Sequence, residues 1–131
     1  MPEQQQKPLS ILVVEDAPEI LRFLARRLSQ LAPTYPMLTA QSGKEALPYC
    51  AAHTFLLAIV DYRLPGGMTG LEVIVALKAS SPLVRTVLIS ASPTDALETE
   101  AIAAGVERLL VKPFTLPELD QVVRSLLLEA S

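Results

Sequence analysis

Five short apolar runs, each followed by a stretch with helical spacing, limit what this chain can fold into more than any other feature. The runs are Leu9–Val14, Met37–Ala40, Phe55–Val60, Arg85–Ile89 and Leu109–Val111. They are short and rich in branched residues, as strands buried on both faces of a parallel sheet are. The stretches between them change period. After Pro18, the residues Ile20, Leu21, Leu24 and Leu28 form one stripe with Arg22, Arg26 and Arg27 elsewhere, and Pro33 closes the helix. Ser42-Gly43-Lys44-Glu45 opens a second helix that runs to about Ala52. A third spans Leu71 to Ala79 after the turn-rich loop Leu64-Pro65-Gly66-Gly67-Met68-Thr69-Gly70. Ser92-Pro93-Thr94 starts a fourth that lasts until Gly105, and Leu116 to Leu128 makes a fifth. Strand and helix alternating five times imply parallel βα units with right-handed crossovers and helices on both faces of one sheet. The expected fold class is a doubly wound α/β sandwich of (βα)5 form.

The 131 residues suffice for one domain with a real core and not for two of ordinary size. We expect a tail at residues 1–8 and a single domain at 9–129. Half the residues are hydrophobic and 19% are charged, the balance of a globular chain rather than a disordered one. The longest apolar run, Phe55 to Val60, cannot span a bilayer, and the polar start does not resemble a signal peptide. The expected address is the cytoplasm, with no membrane contact. A net charge of -3 offers no basic footprint, so no direct contact with nucleic acid is expected. Cys50 is the only cysteine and His53 the only histidine, so neither an intramolecular disulfide nor a cysteine-rich zinc site can form. Both read as structural residues.

In open α/β sheets, ligands bind beyond the carboxyl ends of the strands. Those ends carry Glu15 and Asp16 after the first strand, Asp61 after the third, Ser90 after the fourth and Lys112 after the fifth. Carboxylates gathered at adjacent strand ends repel one another unless a cation neutralises them, and Mg2+ with oxygen ligands is the natural candidate. Lys112 and Ser90 suit the equatorial oxygens of a phosphoryl group in transfer, and Asp61 can then be the attacking carboxylate. Blander readings exist for each residue taken alone. Asp16 can cap the first helix, Ser90 the fourth, and Lys112 can lie over the sheet edge. Position argues against the readings of Ser90 and Lys112, while for Asp16 capping and metal binding need not exclude each other. Ser42-Gly43-Lys44 lacks the earlier glycine of a phosphate loop, so the phosphoryl group must arrive from a phosphohistidine or a small donor rather than from bound ATP.

The ordered runs Ile11-Leu12-Val13-Val14-Glu15-Asp16, Val60-Asp61-Tyr62-Arg63-Leu64-Pro65-Gly66-Gly67-Met68-Thr69-Gly70, Ser90-Ala91 and Leu110-Val111-Lys112-Pro113-Phe114 resemble the receiver domains of two-component response regulators. The likeness covers Leu9 to Leu128. It implies a flavodoxin-like sheet in the order 2-1-3-4-5. It also implies Asp61 as phosphoacceptor, with Asp16 and Asp61 binding Mg2+ directly, Glu15 acting through a water and Arg63 giving its backbone carbonyl. Ser90 would turn toward the phosphoryl group, Lys112 would contact it, and the Lys112–Pro113 bond would be cis. The implied partners are a histidine kinase or histidine phosphotransfer protein. A downstream protein would be met by the fourth helix, fifth strand and fifth helix.

Three departures stand out. Glu15-Asp16 replaces the commoner pair of aspartates, and metal binding is expected to survive. The loop after Asp61 has an extra glycine, as in receivers attached to histidine kinases. Leu109 stands three residues before the lysine, where an aromatic residue is usual. The implied activity is self-phosphorylation and self-dephosphorylation without turnover of an outside substrate. The alternative is a pseudo-receiver that binds partners without phosphorylation, favoured by Leu109 and opposed by the intact acceptor, acid and lysine set. An aspartyl phosphatase would need a second acid where Arg63 stands.

Overall fold

The computed structural model describes residues 8–130; of the expected tail, residues 1–7 lie outside them. The elements follow the expected alternation: β1 (Leu9–Val14), α1 (Pro18–Leu31), β2 (Met37–Ala40), α2 (Gly43–Ala52), β3 (Thr54–Asp61), α3 (Gly70–Ser80), β4 (Arg85–Ser90), α4 (Asp95–Ala103), β5 (Arg108–Val111) and α5 (Leu116–Ala130). All strand pairs are parallel, and the sheet order is β2-β1-β3-β4-β5. The flavodoxin-like topology is therefore as the sequence implies.

Each sheet face has its own core. On one side Leu12, Val14, Ala58, Val60 and Leu88 meet Ala46 and Cys50 of α2, Val73, Ile74 and Leu77 of α3, and Leu97 and Ala101 of α4. On the other, Ile11, Val13, Leu57, Ile59, Val87 and Ile89 meet Leu21, Leu24 and Leu28 of α1 and Leu119, Val123 and Leu126 of α5. The alternation of β1 and β3 residues between the two clusters is the period-two geometry of strands buried on both faces.

The structure moves some boundaries. β3 extends to Asp61 because Asp61 still pairs with Ile89 of β4, so the ladder carries the strand one residue past its last apolar side chain. α4 starts only at Asp95, where the Thr94 hydroxyl accepts the Leu97 N–H at 3.0 Å, and it ends at Ala103 before Gly105 at φ +86°. Ile20, placed by its spacing on the buried stripe of α1, is exposed; burial on that helix begins at Leu21. Ser42 caps α2 by accepting the Glu45 N–H, and Thr69 with Glu72 forms a capping box on α3.

Candidate functional site

The register of the central strands builds the site. Val14 of β1 lies beside Val60 of β3, so the residues that follow, Glu15 and Asp61, leave the sheet side by side. Glu15 and Asp61 are buried, Asp16 is exposed, and carboxylate oxygens of the three lie within 4.8 Å of one another. The Lys112 N–H of the backbone donates to the Ser90 carbonyl at 2.9 Å, which carries the lysine to the same edge. Its Nζ then donates to Asp61 Oδ2 at 3.0 Å and to Glu15 Oε1 at 3.3 Å. The Lys112–Pro113 bond is cis.

Glu15 uses both of its oxygens. Oε1 faces Lys112, and Oε2 accepts the Ala17 N–H at 3.0 Å. Burial pushes its carboxyl up from the ordinary glutamate value; the Ala17 N–H opposes that, and the neighbouring Asp61 charge adds to it. Lys112 feels the reverse balance. Burial pulls its pKa down, but the hydrogen bond to Asp61 and the charges of Asp61 and Glu15 outweigh it, so the amine stays protonated above its usual range.

The sequence-expected residues divide by contact. Glu15, Asp16, Asp61 and Lys112 form one cluster. Ser90 is buried at the end of β4, with its hydroxyl accepting the Ser92 N–H at 3.2 Å rather than capping α4. Arg63 is exposed and donates its backbone N–H to Asp61 Oδ1 at 3.4 Å. Two contributions were not read from the sequence. The Ala17 N–H that holds Glu15 is a backbone group with no sequence signal. Gly70 is required because a Cβ there would run into the Asp61 carbonyl, while its own N–H donates to the Tyr62 carbonyl at 2.8 Å. Only its place at the end of a glycine-bearing loop could have flagged it.

The donor set fits a hard divalent cation. The oxygens are carboxylates at converging positions, one of them solvent-facing, and a single lysine leaves the three acids short of neutral. Away from this edge, Leu109 lines a hollow of about 360 Å³ with Ala101, Ile102, Val106 and Val111, between α4 and β5. Among the described residues, no helix is long and apolar enough to cross a membrane.

Residues 11–124 match the family described as the response regulator receiver domain. The chain is 33% identical over 109 residues to the transcriptional regulatory protein KdpE of Mycobacterium tuberculosis, a match covering 82% of this chain and 46% of KdpE. It spans about half the length of the first curated relatives it matches. The fold is shared with a CheY-like receiver domain protein of Methanospirillum hungatei at a TM-score of 0.84, covering 94% of this chain and 96% of that one at 23% identity. At 30% identity it is similar to the response regulator TrrA of Thermotoga maritima, solved in complex with Mg(2+)-BeF, with a TM-score of 0.75 and coverage of 90% and 98%. Sequence and fold agree, and the chain belongs to the response regulator receiver domain family of two-component signalling systems.

Proposed function

We propose that this chain accepts a phosphoryl group on Asp61 from a histidine kinase or histidine phosphotransfer protein, in a Mg2+-dependent step that alters its binding to a downstream protein. The observation that carries this reading is the Asp61 carboxylate, buried at the carboxyl edge of the sheet between the Lys112 ammonium and the Glu15–Asp16 pair. Asp61 forms the new bond from carboxylate oxygen to phosphorus as the bond from phosphorus to the donor's imidazole nitrogen breaks, and the electron pair leaves with the imidazole. Lys112 stays charged throughout and follows the negative charge from the Asp61 carboxylate to the phosphoryl oxygens. Ser90 frees its hydroxyl from the Ser92 N–H to donate to one of them. Asp16, Asp61 and the Arg63 carbonyl would hold Mg2+, with Glu15 acting through a water, and the ion would supply the remaining positive charge for those oxygens. The chemistry is self-modification followed by hydrolysis, with no outside substrate turned over. A domain at 9–129 with this donor belongs in the cytoplasm and needs no nucleic acid or membrane contact.

A second reading, the phosphorylation-independent interaction module, is favoured by Leu109 and by the hollow beside it, where the usual aromatic relay is absent. Intact mass after incubation with acetyl phosphate separates the two. The switch requires a gain of one phosphoryl group by the wild type only with Mg2+, and none by Asp61→Asn. A folded wild type that gains nothing with Mg2+ supports the interaction module instead.

A further inference from the structure

The turn from β2 into α2 touches both loops that carry the carboxylates. The Glu15 N–H donates to the Ala40 carbonyl at 3.0 Å, which fixes the end of β1 on the end of β2. Three residues further on, Gly43 is buried in the first turn of α2. A Cβ added there would lie 2.7 Å from Met68 Sδ, 2.9 Å from Met68 Cγ and 3.0 Å from Met68 Cβ. Met68 belongs to the loop that follows Asp61 and contains Arg63. In that loop Gly66 and Gly67 stand at φ +87° and +83° with nothing within 4 Å of a side-chain position, whereas Tyr62, Leu64 and Met68 pack on the core. One short turn therefore contacts the β1 end through Ala40 and the β3 loop through Gly43.

We infer that Gly43 is a positioning residue for the cation site: by leaving a notch for Met68, it lets α2 hold the Asp61–Gly70 loop at a fixed distance from Glu15 and Asp16. The inference rests on the proposed reading that Glu15, Asp16, Asp61 and the Arg63 carbonyl take Mg2+. Gly43 is not needed for its backbone, because it is absent from the glycines at positive φ, and alanine suits a helix better than glycine. Any loss on Gly43→Ala therefore comes from displacing Met68. Rotation of the Met68 side chain cannot relieve the clash fully, since its Cβ is among the close atoms. Beyond a turn of the side chain, Met68 must give by a few tenths of an ångström at its Cβ.

The test is Mn2+ binding followed by electron paramagnetic resonance, with Mg2+ as competitor, on chains whose folding is checked by thermal melting. Gly43→Ala and Met68→Ala are each expected to weaken binding about tenfold, the scale of losing support behind a metal ligand. Met68→Leu should keep wild-type affinity. The double variant Gly43→Ala/Met68→Ala should bind no worse than the weaker single variant, because one contact is lost once. Wild-type affinity in folded Gly43→Ala, or losses that multiply to about a hundredfold in the double variant, overturns the inference. If Gly43→Ala does not fold, Met68→Ala against Met68→Leu decides on the same readout. A wild type that binds neither ion would instead refute the proposed cation site itself, a different result from equal binding by wild type and variants.

Discussion

Replacing Glu107 tests the energetics at the opposite end of the sheet from the site. Its Oε1 accepts the Thr86 N–H at 2.8 Å and the Thr86 hydroxyl at 2.7 Å, and its Oε2 accepts Lys78 Nζ at 2.7 Å. Thr86 is fully buried, so Glu107→Ala strands two donors that have no other protein partner. An orphaned buried donor costs about 1–3 kcal/mol, and the hydroxyl can rotate, so the pair costs about 2–4 kcal/mol. Lys78 keeps the Val84 carbonyl at 3.0 Å, so the two broken ion pairs, with Lys78 and, at 3.8 Å, with Arg85, together add only about 0.5–1 kcal/mol. The expected loss is about 3–5 kcal/mol, or roughly 10–20 °C in melting temperature for a domain of this size. Glu107→Gln keeps an acceptor for Thr86 and should lose only about 1 kcal/mol. Acidity gives an independent check. Burial raises the Glu107 carboxyl, but the bonds from Lys78 and Thr86 outweigh it and hold the pKa below the ordinary 4.5. A depressed carboxyl stabilises the fold fully above its unfolded pKa and loses that contribution as pH falls through the folded value. The gap between wild type and Glu107→Gln in urea titrations should thus narrow below about pH 4.5. A loss under about 1 kcal/mol for Glu107→Ala, or a gap independent of pH down to about 3, would refute the account.

Three further outcomes follow from the same geometry. Lys112→Ala removes the only cation that contacts Glu15 and Asp61 among the described residues, so its metal-free melting point should fall and added Mg2+ should raise it by more than in the wild type; equal shifts in paired melts would count against this role. Gly70→Ala forces a methyl group into the Asp61 carbonyl and should cost at least about 2 kcal/mol in urea unfolding, with near-wild-type stability arguing against the close approach. With Leu109 in place of an aromatic relay, beryllofluoride with Mg2+ should alter amide exchange strongly near Asp61 and Lys112 and more weakly in α4, β5 and α5; unchanged protection in those three elements would show that phosphorylation does not reach the output face.

The parallel sheet was legible because burial on both faces leaves runs such as Ile11–Val14 and Leu57–Val60 with no polar interruption. The site was legible for a related reason. Charged residues are kept out of those runs, so the acids and Lys112, with Ser90, mark the strand ends where the apolar requirement lifts. What stayed hidden depends on distance along the chain. Glu107 looks like any charged residue before a strand, yet its partners Lys78 and Thr86 lie 29 and 21 residues away. Gly43 and Met68 are separated by a helix and a strand, and neither type announces a contact. Ile20 misled because helical spacing locates a stripe without saying where along the helix the sheet begins to cover it.

Glu15 shows why a longer acid is tolerated where the pattern favours aspartate. Its extra methylene lets one carboxylate reach Lys112 with one oxygen while the other accepts the Ala17 N–H, so the group is tied at two points although almost wholly buried. The same arrangement holds two buried acids against one lysine, and the raised pKa of Glu15 shows that the balance is unfavourable to its charged form. Burial is the main cause of that cost and the nearby Asp61 charge a smaller one, partly offset by Lys112. Two buried acids beside one lysine at the carboxyl edge of the sheet are the kind of local cost a fold carries when it is shaped by a site and not by packing alone.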